Sequence, residues 1–241
     1  FFGKAIVQGK GWCYNRYGHS AGHIREEVSW LQELRFAWKH TLPILFTYLF
    51  IGIAFGVQMA EAGYSAAWSV ASAFFIYAGS LQIVMVSLLR QGVPLLTMAA
   101  ITFFLNARHI FYGIAFIDRF RKMGWRYPYM VLTLTDETYS ILCSIKYEPQ
   151  LNEDKAAFYI ALLNHVYWMV GCLVGGCMGQ MLPWDMTGID FCATAFFLVV
   201  VLDQWQQCSS RIPAWTGLVC ALVFYFLLGP DRFLIPALSA S

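Results

Sequence analysis

Asp136 and Glu137 lie at the middle of an otherwise apolar run, Tyr129 to Ile145. An ionised side chain at mid-bilayer costs roughly 2.5 to 3.5 kcal/mol on insertion scales, so it persists where it has a use. Adjacent helical positions diverge by about 100°, and the two carboxylates therefore do not share one target. One is expected to pair with a cation while the other faces a pathway. Low dielectric disfavours the charged form of a carboxyl group, which is the property a proton carrier needs. Arg108 is also deep, inside the run Val93 to Ile117, and is the expected partner. A guanidinium so placed suits either a static lock between helices or the grip of a substrate carboxylate.

Ser80, Gln82, Asn106 and Asn164 add uncharged hydrogen-bonding groups to apolar surroundings. In lipid such groups also simply join helices. Gly79-Ser80 differs, because glycine permits unwound backbone whose amides and carbonyls can hold the charged ends of an amino acid. The candidate substrate-binding set is therefore Gly79, Ser80, Gln82, Asn106 and Arg108. The candidate proton-coupling or ion-pair set is Asp136, Glu137 and Asp203. His109 and His165 read as packing histidines. Cys13, His19 and His23 lack half of a zinc site, so no metal and no cofactor is expected. Most of the seven cysteines fall inside apolar runs, where a thiol behaves as a small hydrophobe rather than as part of a disulfide framework.

The elements that must position these residues belong to a membrane. Of 241 residues, 59% are hydrophobic and 12% charged, about half the charged share of a soluble domain. A net charge of +2, with the basic residues in short connections, argues against a nucleic-acid partner. Pro43 to Ala60, Ala66 to Leu89, Val93 to Ile117, Tyr129 to Ile145, Ala156 to Leu182, Gly188 to Leu202 and Ala214 to Leu228 are seven apolar segments. The longer ones are sufficient to cross ~30 Å of hydrocarbon. Phe233 to Leu238 looks like an eighth cut short. The expected fold is all-α, polytopic, with seven to eight transmembrane segments.

Residues 1–40 read as a polar arm ending in an amphipathic interfacial helix, Val28 to Trp38, and residues 41–241 as the transmembrane domain. Tyr48-x-x-x-Gly52-x-x-x-Gly56 is echoed by Tyr167-x-x-x-Gly171-x-x-x-Gly175, and Ala73-Phe74-Phe75 to Gln82 by Ala195-Phe196-Phe197 to Gln204. These echoes suggest repeat units of about 41–117 and 156–241, linked by 118–155. Arg119, Arg121, Lys122 and Arg126 make one connection strongly basic, hence cytoplasmic. With Arg35 and Lys39 placing the start on that side too, three full crossings before Arg119 do not fit. The second segment is then broken or re-entrant at Ala78-Gly79-Ser80, and the repeats are inverted. A periplasmic start with eight straight helices is the competing topology.

Gly52-Ile53-Ala54-Phe55-Gly56, Ala78-Gly79-Ser80-Leu81-Gln82, Asn106-Ala107-Arg108-His109, Thr135-Asp136-Glu137 and the stretch from Asp190-Phe191 to Ala195-Phe196-Phe197 follow one another in order. Together they resemble the AzlC-type branched-chain amino acid permeases, the large subunits of two-component exporters, over roughly residues 35–235. The resemblance implies export of leucine, isoleucine, valine and sometimes methionine or toxic analogues across the bacterial cytoplasmic membrane. It also implies a small hydrophobic partner of the AzlD type. Residues 1–30 and the short C-terminus depart from the family pattern. No phosphate-binding loop is present to use ATP, so proton coupling is the expected drive. Two other classes are an intramembrane serine hydrolase using Ser80 with His109 or His165, and a scaffold that only docks a partner. The hydrolase lacks a Gly-x-Ser-x-Gly elbow and leaves the buried carboxylates without a task.

Overall fold

The computed structural model describes residues 20–181, 212–229 and the positions 191, 194, 195, 198, 201, 202, 205, 236 and 237, and its described elements are all helical. Among the described residues, three helices are long and apolar enough to cross a membrane: Trp30–Glu61, Leu95–Leu132 and Glu153–Met181. The first lies in α1, Ser20–Glu61. The second comprises α4, Leu95–Phe120, a 3₁₀ stretch Arg121–Arg126, and α5, Tyr127–Leu132. The third is α7, Glu153–Met181. Shorter helices are α2 (Ala66–Phe75), α3 (Gly79–Arg90), α6 (Asp136–Ser144) and α8 (Ile212–Leu228).

The stretch Val28 to Trp38 forms a helix, but not a separate one. It continues through Pro43 into the first apolar run, and Phe36, Ala37 and Glu33 on it are buried against the rest of the chain. Thr41 Oγ1 bonds back to the Ala37 carbonyl at 2.9 Å. Such local adjustments let a proline sit within a membrane helix.

The echoed glycine stripes are where α1 and α7 cross. A Cβ on Gly52 would come within 3.0 Å of Gly171 Cα, and one on Gly171 within 2.8 Å of the Tyr48 carbonyl oxygen. Cβ atoms on Gly56 and Gly175 would run into the backbone of Cys172 and Ile53. With no hydrophobic driving force between helices in lipid, this close backbone approach is what glycine contributes.

Among the described residues, two of the apolar segments are interrupted. The second ends as α2 at Phe75 and resumes as α3 at Gly79, with Tyr77 at φ 41° in the gap. The left-handed region is costly for a bulky residue, so surrounding contacts must hold Tyr77 there. α2 starts just after Glu61, and α3 ends at Arg90, 3.8 Å from Glu61. The pair thus leaves and returns to the same end of the bundle.

The fourth segment, expected from sequence to cross, is also broken, at Thr133–Thr135. Its first half follows the basic stretch after Arg119, and the chain beyond its second half brings the Tyr147 ring 5.0 Å from the Arg119 guanidinium. This hairpin returns to the opposite end of the bundle from the first. Each has its own apolar core. Tyr48, Phe55, Tyr77, Ile83 and Trp168 pack around α2 and α3, while Phe116, Phe120, Met130, Leu134 and Leu142 pack around α5 and α6.

Candidate functional site

The two hairpin tips meet. Tyr77 to Ser80 and Thr135 to Glu137 line one cavity of about 270 Å³, completed by Tyr48, Ile51, Phe104, Leu105, Arg108, His109 and Trp168. That volume is near the lower end of small-molecule sites, roughly 300 to 1,000 Å³, and suits a solute the size of an amino acid. α3 and α6 both begin at this cavity, so the positive ends of two half-helix dipoles converge on it. Thr135 caps α6, its Oγ1 accepting from the Thr138 N–H at 3.4 Å.

Arg108 on α4 joins the two tips. Its Nη1 lies 2.7 Å from Asp136 Oδ2, and its Nη2 donates to Ser80 Oγ at 2.7 Å. Both members of the ion pair stay open to the cavity, their side chains 34% and 28% exposed. Neither is fully satisfied: Arg108 Nε and Asp136 Oδ1 are buried with no hydrogen-bond partner, as is the Tyr77 hydroxyl. Buried polar atoms are nearly always hydrogen-bonded, so three left without a partner on residues of one cavity single this place out as a functional candidate.

Glu137 is held differently. Tyr48 OH donates to its Oε2 at 2.7 Å and also lies 2.9 Å from Thr135 Oγ1. Thr135 Oγ1 donates to Thr138 Oγ1 at 3.2 Å, and Asn164 Nδ2 donates to the same oxygen at 3.0 Å. A hydroxyl chain therefore runs from Glu137 to α7. The divergence expected of Asp136 and Glu137 is seen, one turned to a cation and the other to a phenol.

Of the sequence-derived binding residues, Gly79, Ser80 and Arg108 line the cavity, and Gln82 and Asn106 do not. Gln82 is fully buried behind it, donating to Ser72 Oγ at 3.1 Å and accepting from Trp168 Nε1 at 2.9 Å. The reason is helical geometry, since a residue two positions from Ser80 or Arg108 points about 200° away. Gln82 instead fixes the Trp168 ring, which lies against the start of α3; a Cβ on Gly79 would sit 3.1 Å from it. Asp203, with Asp190 and Gln204, lies outside the described residues.

Tyr48, Tyr77, Thr135 and Trp168 are cavity residues that the sequence reading did not single out as a site. His109, read there as packing, also lines the cavity. His165 does not: it takes a contact from Tyr129 OH at 3.0 Å through Nδ1 and lies tilted against Tyr77, with ring centroids 4.4 Å apart. No grouping of three or more potential metal ligands occurs among the described residues.

A family model described as AzlC protein matches residues 43–182. A Bacillus subtilis (strain 168) relative named branched-chain amino acid transport protein AzlC is 33% identical over 218 residues, covering 90% of this chain and 86% of its own. An uncharacterized membrane protein of Helicobacter pylori (strain 26695) is 36% identical over 208 residues, 86% of this chain and 91% of its own. Inner membrane protein YgaZ of Escherichia coli K12 is 26% identical over 206 residues, 82% of this chain and 81% of its own. No solved structure matches the chain.

Proposed function

The chain belongs to the AzlC family of membrane proteins, and we propose that it is a secondary-active exporter of branched-chain amino acids in the bacterial cytoplasmic membrane. The observation that carries the reading is the cavity between two broken helices. It sets Arg108, Asp136, Glu137 and two helix N-termini beside an apolar wall of Ile51, Phe104, Leu105 and Trp168. An amphipathic zwitterion needs that combination of groups. The B. subtilis relative carries branched-chain amino acid transport in its name.

Proton coupling is assigned to Glu137, with Asp136 engaged by Arg108. Glu137 takes its hydrogen bond from a phenol rather than from a cation, so a proton can be gained or lost without breaking an ion pair. Asp203 stays a further candidate for the same work. The basic residues Arg35, Lys39, Arg119, Arg121, Lys122 and Arg126 mark one end of the bundle as cytoplasmic. The organisation proposed is a 1–40 leading portion and a 41–241 permease with inverted units of about 41–117 and 156–241. A small hydrophobic AzlD-type subunit is the proposed partner. The serine-hydrolase reading has less behind it, because Ser80 Oγ accepts from Arg108 instead of donating to a histidine.

Leucine efflux from bacteria expressing this chain, with and without the small subunit, tests the reading. Faster efflux of preloaded leucine, greatest with both subunits, is expected. Efflux no faster than in cells lacking both would contradict it and favour a scaffold.

A further inference from the structure

We infer that the Arg108–Asp136 ion pair is itself the receptor for the amino-acid head group: the substrate zwitterion inserts into the pair, its carboxylate on the guanidinium and its ammonium on the Asp136 carboxylate. This deepens the proposed function and rests on its amino-acid reading.

The pair makes a single contact, Nη1 to Oδ2 at 2.7 Å. It leaves Arg108 Nε and Asp136 Oδ1 without partners although both are buried. A guanidinium and a carboxylate that meet for static locking are commonly bidentate, using two donors and two acceptors. Here each partner keeps one free hydrogen-bonding atom. A free donor on a cation beside a free acceptor on an anion is the complement of an α-amino acid head group. Tyr77, a residue only 5% exposed that lines the same cavity, adds a third buried polar group, its hydroxyl making no close hydrogen bond.

Placement in the chain makes insertion mechanically simple. Asp136 is the first residue of α6, directly after the unwound Thr133–Thr135, whereas Arg108 stands within the unbroken α4. Widening the pair needs a shift of one half-helix and no unwinding. Ser80, the second residue of α3, already bonds the guanidinium. Both hairpin tips therefore touch the group that takes the substrate carboxylate, and filling the pair reports to both.

Charge balance completes the argument. Without ligand, +1 and −1 cancel, and a zwitterion inserted between them cancels again. A carboxylic acid lacking the amine would leave Asp136 opposed by an anion. An amine lacking the carboxylate would leave Arg108 opposed by a cation. An unmet charge in a half-buried site is penalised, so the pair selects for zwitterions before any side-chain pocket acts.

The test is equilibrium binding to the purified full-length chain of three radiolabelled probes sharing one apolar side chain: leucine, 4-methylpentanoate (no amine) and 3-methylbutylamine (no carboxylate). The wild-type chain is expected to bind leucine and to bind each truncated probe about 10- to 100-fold more weakly, the value of a charge-assisted contact left unmade. The variants should cross over. Asp136→Asn is expected to lose affinity for leucine and gain it for 4-methylpentanoate; Arg108→Gln is expected to gain affinity for 3-methylbutylamine. If either variant fails to fold, the wild-type comparison of the three probes still decides. Leucine binding with all three probes equal, or with no crossover in a folded variant, overturns the insertion and leaves the amino-acid site standing. Absence of leucine binding to the wild-type chain overturns both.

Discussion

The hydroxyl of Tyr48 donates to Glu137 Oε2 at 2.7 Å, tying the middle of α1 to the first turn of α6. The bond joins a helix that spans the bundle to one that begins inside it. Tyr48 also stands edge-on to Trp168, with ring centroids 5.4 Å apart, so its ring is fixed from a second direction.

Tyr48→Phe keeps this packing and removes the donor. A charged hydrogen bond is worth about 1.5 to 3 kcal/mol. Proton-driven leucine efflux in proteoliposomes is expected to fall about tenfold or more, with the detergent-solubilised variant still monodisperse. Undiminished efflux would show that the bond plays no part in coupling.

Tyr77→Phe removes a buried hydroxyl that makes no close hydrogen bond, although Tyr48 and Thr135 stand near it. Thermal stability should stay within about 0.5 kcal/mol of wild type, as for a substitution that breaks no contact. Leucine affinity should fall several-fold, measured by the same radioligand binding. A drop in stability with unchanged affinity would make the hydroxyl structural.

Gln82→Leu is expected to do the reverse. It strands the Trp168 indole N–H that Gln82 Oε1 accepts at 2.9 Å, and leaving a buried donor unmet costs about 1 to 3 kcal/mol. The thermal midpoint should fall, with leucine affinity reduced only as far as the Trp168 ring moves. Loss of binding at wild-type stability would place Gln82 in the site after all.

Gly175→Ala forces a methyl group into the Ile53 backbone at the α1–α7 crossing. Overpacking of this kind costs about 1 to 3 kcal/mol, and here backbone must move. Gly113→Ala, at a glycine with open space around it, is the control. Thermal unfolding in detergent should separate the two, and equal midpoints would mean that the crossing is not tightly packed.

Much of this site was legible in the chain because lipid makes polar groups expensive. The deep charge of Arg108 called for Asp136 or Glu137 as its partner, without choosing between them, and Gly79 marked the first helix break. The second break carries no glycine or proline within Thr133-Leu134-Thr135, and the segment reads as one continuous run. A signal was present nonetheless: Thr135 followed by Asp136 and Glu137 is a helix N-cap with acidic residues in the first turn. Gln82 and Asn106 were assigned to the cavity by their polarity, although a two-residue step from Ser80 or Arg108 already turned them away. Beyond the place of Tyr48 in the glycine echo, nothing marks Tyr48 or Trp168 as a cavity residue, because an aromatic residue facing a cavity has the same composition as one facing lipid.

The most direct test of transport through this cavity is leucine efflux from proteoliposomes holding the chain and its small subunit under an imposed proton gradient, alongside leucine counterflow without a gradient. Wild type is expected to perform both. Glu137→Gln should keep counterflow and lose gradient-driven efflux, and Arg108→Gln should lose both. Wild-type rates in both variants, or gradient-driven efflux surviving in Glu137→Gln, would contradict the account.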